Sequence, residues 1–87
     1  MGRMATLGDI IAANVRGDRA KRRWSQDELG RRLGMGRSTV GDLESGRRKV
    51  TADDLGPLCV VFGVDLAVLA RGANPDELRA LGLRNAQ

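Results

Sequence analysis

Basic side chains are the residues of this sequence whose type and spacing could do chemistry. Between Arg16 and Lys49 stand 11 basic and 5 acidic residues, a net of +6, while the rest holds 4 basic and 6 acidic, a net of −2. Clustered guanidinium and ammonium groups bind polyanions, phosphate-bearing polymers among them. Other chemistries lack their parts. The 87 residues include no His, no Tyr and a single Cys, Cys59, so no His-based triad, Cys–His dyad or zinc finger can be assembled. The carboxylates fall where helix caps and surface charge would put them, and we read no enzyme, no metal and no cofactor. The lone thiol allows no internal disulfide, which fits a reducing compartment. No run approaches the roughly 18 apolar residues of a membrane span, and Met1 to Arg3 lead into no signal-peptide core. A soluble cytoplasmic protein without membrane contact is expected.

Those basic residues need a scaffold. A chain of this length makes one small domain, burying about 60–65% of its unfolded surface. With aromatics at 2%, its core must come from Leu, Val, Ile and Ala. Apolar residues recur at helical spacing and nowhere alternate, so the fold class is all-α. Thr6, with Asp9 three residues on, caps a first helix to about Arg22. Its buried stripe is Leu7, Ile10, Ile11 and Val15, with Asp18 and Arg22 paired on the other face. Ser25 and Glu28 form a capping box for a second helix whose Leu29 and Leu33 face inward, and Gly34 ends it at positive φ. A third helix begins near Gly36 or Arg37, carries Val40 and Leu43, and stops before Gly46. Thr51 with Asp54 points to a fourth, holding Leu55, Leu58, Cys59 and Phe62. Pro57 would then be its sixth residue and would delete a hydrogen bond, so we expect a start near Asp53 or a distorted first turn. Asp65 caps a short helix through Leu66, Leu69 and Ala70, and Asn74–Pro75 opens a last one with Leu78 and Leu81. Residues 1–5 and 84–87 should fray.

Ser25 to Gly46 is the informative unit. Its two short helices are joined by a turn too brief to let them lie antiparallel, so they cross steeply in helix-turn-helix geometry. The second then projects from the body and can enter a DNA major groove, about 12 Å wide. From Leu7 to Leu69 the chain resembles the lambda-repressor-like (Cro/repressor, Xre-type) family. The resemblance rests on Arg19, Trp24-Ser25-Gln26, Glu28-Leu29, Leu33-Gly34, Ser38-Thr39-Val40, Leu43-Glu44-Ser45-Gly46, Leu55 and Phe62-Gly63-Val64 in that order. It implies a compact five-helix DNA-binding domain at 6–72, followed here by a short extra C-terminal helix and tail at 73–87. It also implies double-stranded DNA as partner, the helix Arg37–Ser45 in the major groove, a nucleoid location, and transcriptional repression, often as a homodimer.

Residue roles follow from that placement. Arg37 can bond guanine O6 and N7 bidentately, or contact a phosphate. Ser38 and Asp42 lie one turn apart on the same exposed face. Ser38 can bond a base or a phosphate, and Asp42 could accept from cytosine N4, although phosphates repel a carboxylate. Gly41 leaves a bare patch for close approach to the duplex. In similar domains the Gln26 side chain bonds a phosphate and braces a recognition residue, the alternative being a solvated first-turn Gln. Thr39, Ser45, Arg47, Arg48 and Lys49 are the other phosphate contacts expected. The resemblance gives Arg19 and Glu44 an architectural part, as an ion pair clamping the first helix to the end of the third.

Some positions depart from the family pattern. Gly36 stands where Ser or Thr usually caps the recognition helix, Gly30 where Ala is usual, Val50 where Pro is common, and Asp18 where many members are apolar. Together with Gly8, Gly17 and Gly56 they suggest modest stability. A second reading is a protein-interaction module, an antitoxin or adaptor with the same fold and a protein partner. Leu66, Leu69, Leu78, Leu81 and Leu83 would serve it, or a two-fold homodimer, unless the last helix merely covers the core. With no room for an effector domain, we expect regulation by abundance, a partner or proteolysis. The 13 Arg against 2 Lys, with abundant Gly and Ala, hint at a high-GC bacterial or phage genome.

Overall fold

All but one of the described helices start at short polar side chains that satisfy otherwise free backbone N–H groups. The computed structural model describes residues 5–83; of the ends expected to fray, Ala5 is exposed and the others lie outside the described residues. In helix α1 (Leu7–Lys21), Thr6 Oγ1 accepts from the Asp9 N–H at 3.1 Å while the Asp9 carboxylate accepts from the Thr6 N–H at 3.0 Å. This reciprocal box closes two free donors at once. At α2 (Gln26–Leu33), only half of the expected box forms. Ser25 Oγ accepts from the Glu28 N–H at 3.0 Å, but the Glu28 carboxylate turns to the guanidinium groups of Arg31 and Arg32.

Helix α3 (Arg37–Ser45) starts without a side-chain cap, as a glycine N-cap dictates. The turn from α2 passes through Gly34 at φ +71°, and the Met35 N–H donates to Gly30 O at 2.8 Å. A Cβ on Gly30 would lie 2.5 Å from Met35 O, so the missing methyl lets the turn fold directly onto α2. Gly30 is therefore a packing requirement here and not a sign of modest stability. The two helices joined by this turn share the most extensive interhelical contact among the described elements.

Helix α4 (Ala52–Phe62) begins earlier than the start near Asp53 that Pro57 led us to expect. Thr51 is its N-cap, and Pro57 does lie inside the helix. The hydrogen bond that Pro57 deletes would have ended on the carbonyl of Asp53, an exposed residue whose carbonyl water can serve. Asp54 holds the first turn. Its carboxylate accepts from the Thr51 N–H at 2.8 Å, the Thr51 hydroxyl at 3.1 Å and two guanidinium nitrogens of Arg48 at 3.0 and 3.1 Å. Helices α5 (Leu66–Leu69) and α6 (Pro75–Ala80) follow, capped by Asp65 and Asn74. Six helices and no strand occur among the described residues.

The core gathers Ile11 and Val15 of α1, Leu29 of α2, Val40 and Leu43 of α3 and Leu58 of α4, each at most 2% exposed. Leu69 and Leu78 are buried in the same cluster, with Leu66 and Leu83 packed against it. The last helix therefore covers the core, and the five leucines do not form an open apolar patch; only Leu81, at 55%, is largely exposed. Asn14 ties this end to α1 by donating to Leu69 O at 2.7 Å and Arg71 O at 2.9 Å.

Asp18 is not on a solvated face, as the helical spacing suggested; it is 3% exposed. Arg71, brought in by α5, donates to both its oxygens at 3.3 and 3.4 Å, with Arg22 and Lys21 each at 3.8 Å. Arg22 also lies 4.8 Å over the Phe62 ring, which stacks on Trp24 at 6.0 Å, and Arg32 covers Trp24 at 4.1 Å. The chain's two aromatic rings are thus flanked by guanidinium groups.

Three measurements test this account. Alanine normally favours a helix by about 1 kcal/mol over glycine, yet Gly30→Ala should lower stability by about 1–3 kcal/mol because the turn has no room for a methyl. Urea melts of the two proteins decide the sign. Burial pushes the Asp54 carboxyl up, but the hydrogen bonds from Arg48 and Thr51 outweigh it and hold the group below the usual Asp value. A carboxyl depressed in the fold stabilises above its unfolded pKa, about 3.9, and that contribution is lost as pH falls through its folded value. Asp54→Asn should accordingly flatten the acid limb of stability against pH, and at neutral pH cost about 1–2 kcal/mol, since Arg48 is partly screened by water. Arg19→Ala strands the buried Glu44 carboxylate described below. It should cost about 3–5 kcal/mol, a fall in Tm of more than about 10 °C for a domain of this size; full thermal stability would refute the clamp.

Candidate nucleic-acid interface

The outer face of α3 is held in place by one charged contact at its far end. Glu44, whose side chain is 4% exposed, receives the Nε of Arg19 at 2.6 Å and its Nη2 at 3.1 Å. The remaining guanidinium nitrogen of Arg19 donates to Trp24 O at 2.8 Å. Hydrogen bonding to Glu44 pushes the Arg19 guanidinium above its ordinary pKa despite opposing desolvation. Gln26, first residue of α2, adds a bond from Nε2 to Glu44 Oε1 at 3.2 Å. Helices α1, α2 and α3 thus meet on one carboxylate. Gln26 is half-buried and braced against the clamp, so a freely solvated side chain does not describe it.

Away from that anchor the face is open. Arg37 and Ser38 are exposed on the first turn, with Asp42 half-buried one turn later. The glycine cap provides no side-chain acceptor for the N–H groups of that turn. Gly41 is less bare than expected, since a Cβ there would come within 3.6 Å of the Gln26 amide. Thr39 is half-buried, and the Ser45 hydroxyl already donates to Asp42 O at 3.2 Å. After Gly46, at φ +85°, Arg47 and Lys49 are exposed. Arg48 between them is turned inward and held bidentately by Asp54, so it braces α4 instead of standing free for a phosphate.

Charge that looked uniform in sequence therefore divides into two populations. Arg19, Lys21, Arg22, Arg31, Arg32 and Arg48 have carboxylate partners within the chain. Among the described residues, Arg37, Arg47 and Lys49 have no ion pair, and neither do Arg16 and Arg23, which sequence reasoning passed over. Helical spacing contained a signal for Arg16, one turn before Arg19 on α1. Arg23 is marked by its backbone, the one non-glycine with positive φ among the described residues, at +59°. No cluster of potential metal ligands and no helix long and apolar enough to cross a membrane occurs among the described residues.

Comparison with known proteins agrees with this architecture. The model of a helix-turn-helix domain matches residues 11–72. None of the curated proteins matches the chain. Among solved structures, the clp gene regulator ClgR from C. glutamicum has a TM-score of 0.72 at 23% identity, covering 80% of this chain and 90% of that one. A hypothetical transcription factor, NHTF from Neisseria, reaches 0.69 at 26% identity, covering 93% and 94%. The restriction-modification controller protein C.AhdI from Aeromonas hydrophila reaches 0.63 at 27% identity, covering 72% and 94%. From the matched domain, the tight turn between α2 and α3 and these shared folds, the chain belongs to the helix-turn-helix domain family, of the lambda-repressor-like, Xre type.

Proposed function

We propose that the chain is a sequence-specific regulator of transcription, acting as a repressor, that lays α3 in the major groove of double-stranded DNA. The observation that carries this reading is the set of unpaired, exposed cations Arg37, Arg47 and Lys49 at the two ends of a helix whose inner face is fully buried. Arg37 on the first turn is the reader of guanine, since its planar fork matches O6 and N7. Ser38 bonds a base or phosphate beside it, and Asp42 accepts from a cytosine N4. Gln26, Thr39, the uncapped N–H groups at the start of α3, Arg47 and Lys49 bond the backbone. Arg48 and the Ser45 hydroxyl contribute through their internal partners. The regulators whose folds match support this assignment by analogy. A protein-docking module draws less support, because most of the leucines that would have served it are packed inside.

Binding to a duplex from upstream of its own gene, and to the same bases scrambled, tests the proposal at two salt concentrations. The upstream duplex should bind more tightly, and Arg37→Ala should cut that discrimination by about 1–3 kcal/mol. Equal binding of the wild type to both duplexes at both salts would refute sequence-specific regulation by this chain. Equal loss on both for the variant would make Arg37 a phosphate contact.

A further inference from the structure

A cleft of about 250 Å³ opens between α1 and α3, lined by Arg16, Arg19, Gln26, Gly41, Glu44 and Ser45. We propose that it seats one backbone phosphate of the bound DNA and that Arg16 is the cation that holds it. The assignment rests on the DNA-binding reading above and extends the interface from α3 onto α1.

The electrostatics of the cleft favour an anion for a reason that only its floor explains. A carboxylate at the base of such a site would ordinarily repel phosphate. Here Glu44 is neutralised by the bidentate Arg19 and further bonded by Gln26, at 2.6, 3.1 and 3.2 Å. Those three residues together carry no net charge, which leaves Arg16 as the uncompensated cation on the wall. It is exposed and has no ion pair among the described residues. One further donor lines the same cleft. Gln26 gives one amide hydrogen to Glu44 and has a second to offer. Gly41 keeps the wall low, since a side chain there would begin 3.6 Å from that amide. A surface arginine is most often simply solvated; this one borders the helix expected in the groove and shares its cleft with the clamp that orients that helix.

The test compares salt dependence of binding for the full chain and the variants Arg16→Ala, Arg16→Lys and Arg31→Ala, on the upstream duplex and its scrambled form. Arg31 is exposed but paired with Asp27 and Glu28 at 2.7 and 2.5 Å, so its removal takes away the same charge without a phosphate contact. Arg16→Ala should flatten the slope of log K against log salt by about 0.9 on both duplexes, with Tm unchanged. Arg16→Lys should keep the slope, and Arg31→Ala should keep the wild-type value. Methylphosphonate substitution of single phosphates should find one position that weakens the wild type and leaves Arg16→Ala unaffected. An unchanged slope for Arg16→Ala, or an equal change for Arg31→Ala, overturns the phosphate seat while leaving DNA binding intact. A wild type that binds neither duplex removes the DNA-binding reading and this assignment with it.

Discussion

The second helix of this helix-turn-helix is exposed on one face and must still be held in place, and those demands meet at the Glu44 carboxylate. One face of α3 is buried through Val40 and Leu43, but apolar contact is non-directional and does not fix the rotation of a helix about its axis. The bidentate bond from Arg19 does, because a planar fork on a carboxylate tolerates little rotation. Through the same guanidinium the end of α1 is tied to Trp24 O, and through Gln26 the start of α2 joins the same point. Without that carboxylate's partners the three helices would still pack, but the outward face of α3 would lose its fixed bearing relative to α1 and α2.

The same economy governs the rest of the charge. A small domain with few aromatics has a limited apolar core, and here arginine supplements it. Arg22 and Arg32 flank the stacked Trp24 and Phe62, Arg71 neutralises buried Asp18, and Arg48 steadies a helix that contains a proline. Their stems cover apolar surface while their heads meet carboxylates or carbonyls. What remains on the surface near α3 is a smaller set of unpaired cations than the net charge of the segment implies. These are the cations left free for a polyanion, and the paired ones serve the shape of the domain.

The turn between α2 and α3 shows how a single missing methyl can be part of that shape. Gly30 accepts the Met35 N–H at 2.8 Å, and the closeness of the chain to its α-carbon leaves no space for a side chain. Glycine in a helix interior is ordinarily a loss of stability. At this position the loss is offset by a shorter path from one helix to the next, which brings the start of α3 against the body of the domain.

Local rules were legible in the sequence because they act over three or four residues. Thr6, Ser25, Thr51, Asp65 and Asn74 mark helix starts through hydrogen bonds to their own neighbours, and Gly34, Gly46 and Gly63 mark ends through a positive φ that few other residues adopt. The spacing of Leu29, Val40 and Leu43 likewise announced the helices of the helix-turn-helix and their inner faces. Partners from distant segments left no such trace. That Asp18 is buried beneath Arg71, that Arg48 turns to Asp54, and that Leu69 and Leu78 close the core all depend on where α4, α5 and α6 return. Sequence determined which elements form and that they carry a basic helix-turn-helix. Only the tertiary structure decided which cations are neutralised within the chain and which are left to meet an anion, because charge pairing depends on separation in space, where residues 53 apart can meet at 3.3 Å.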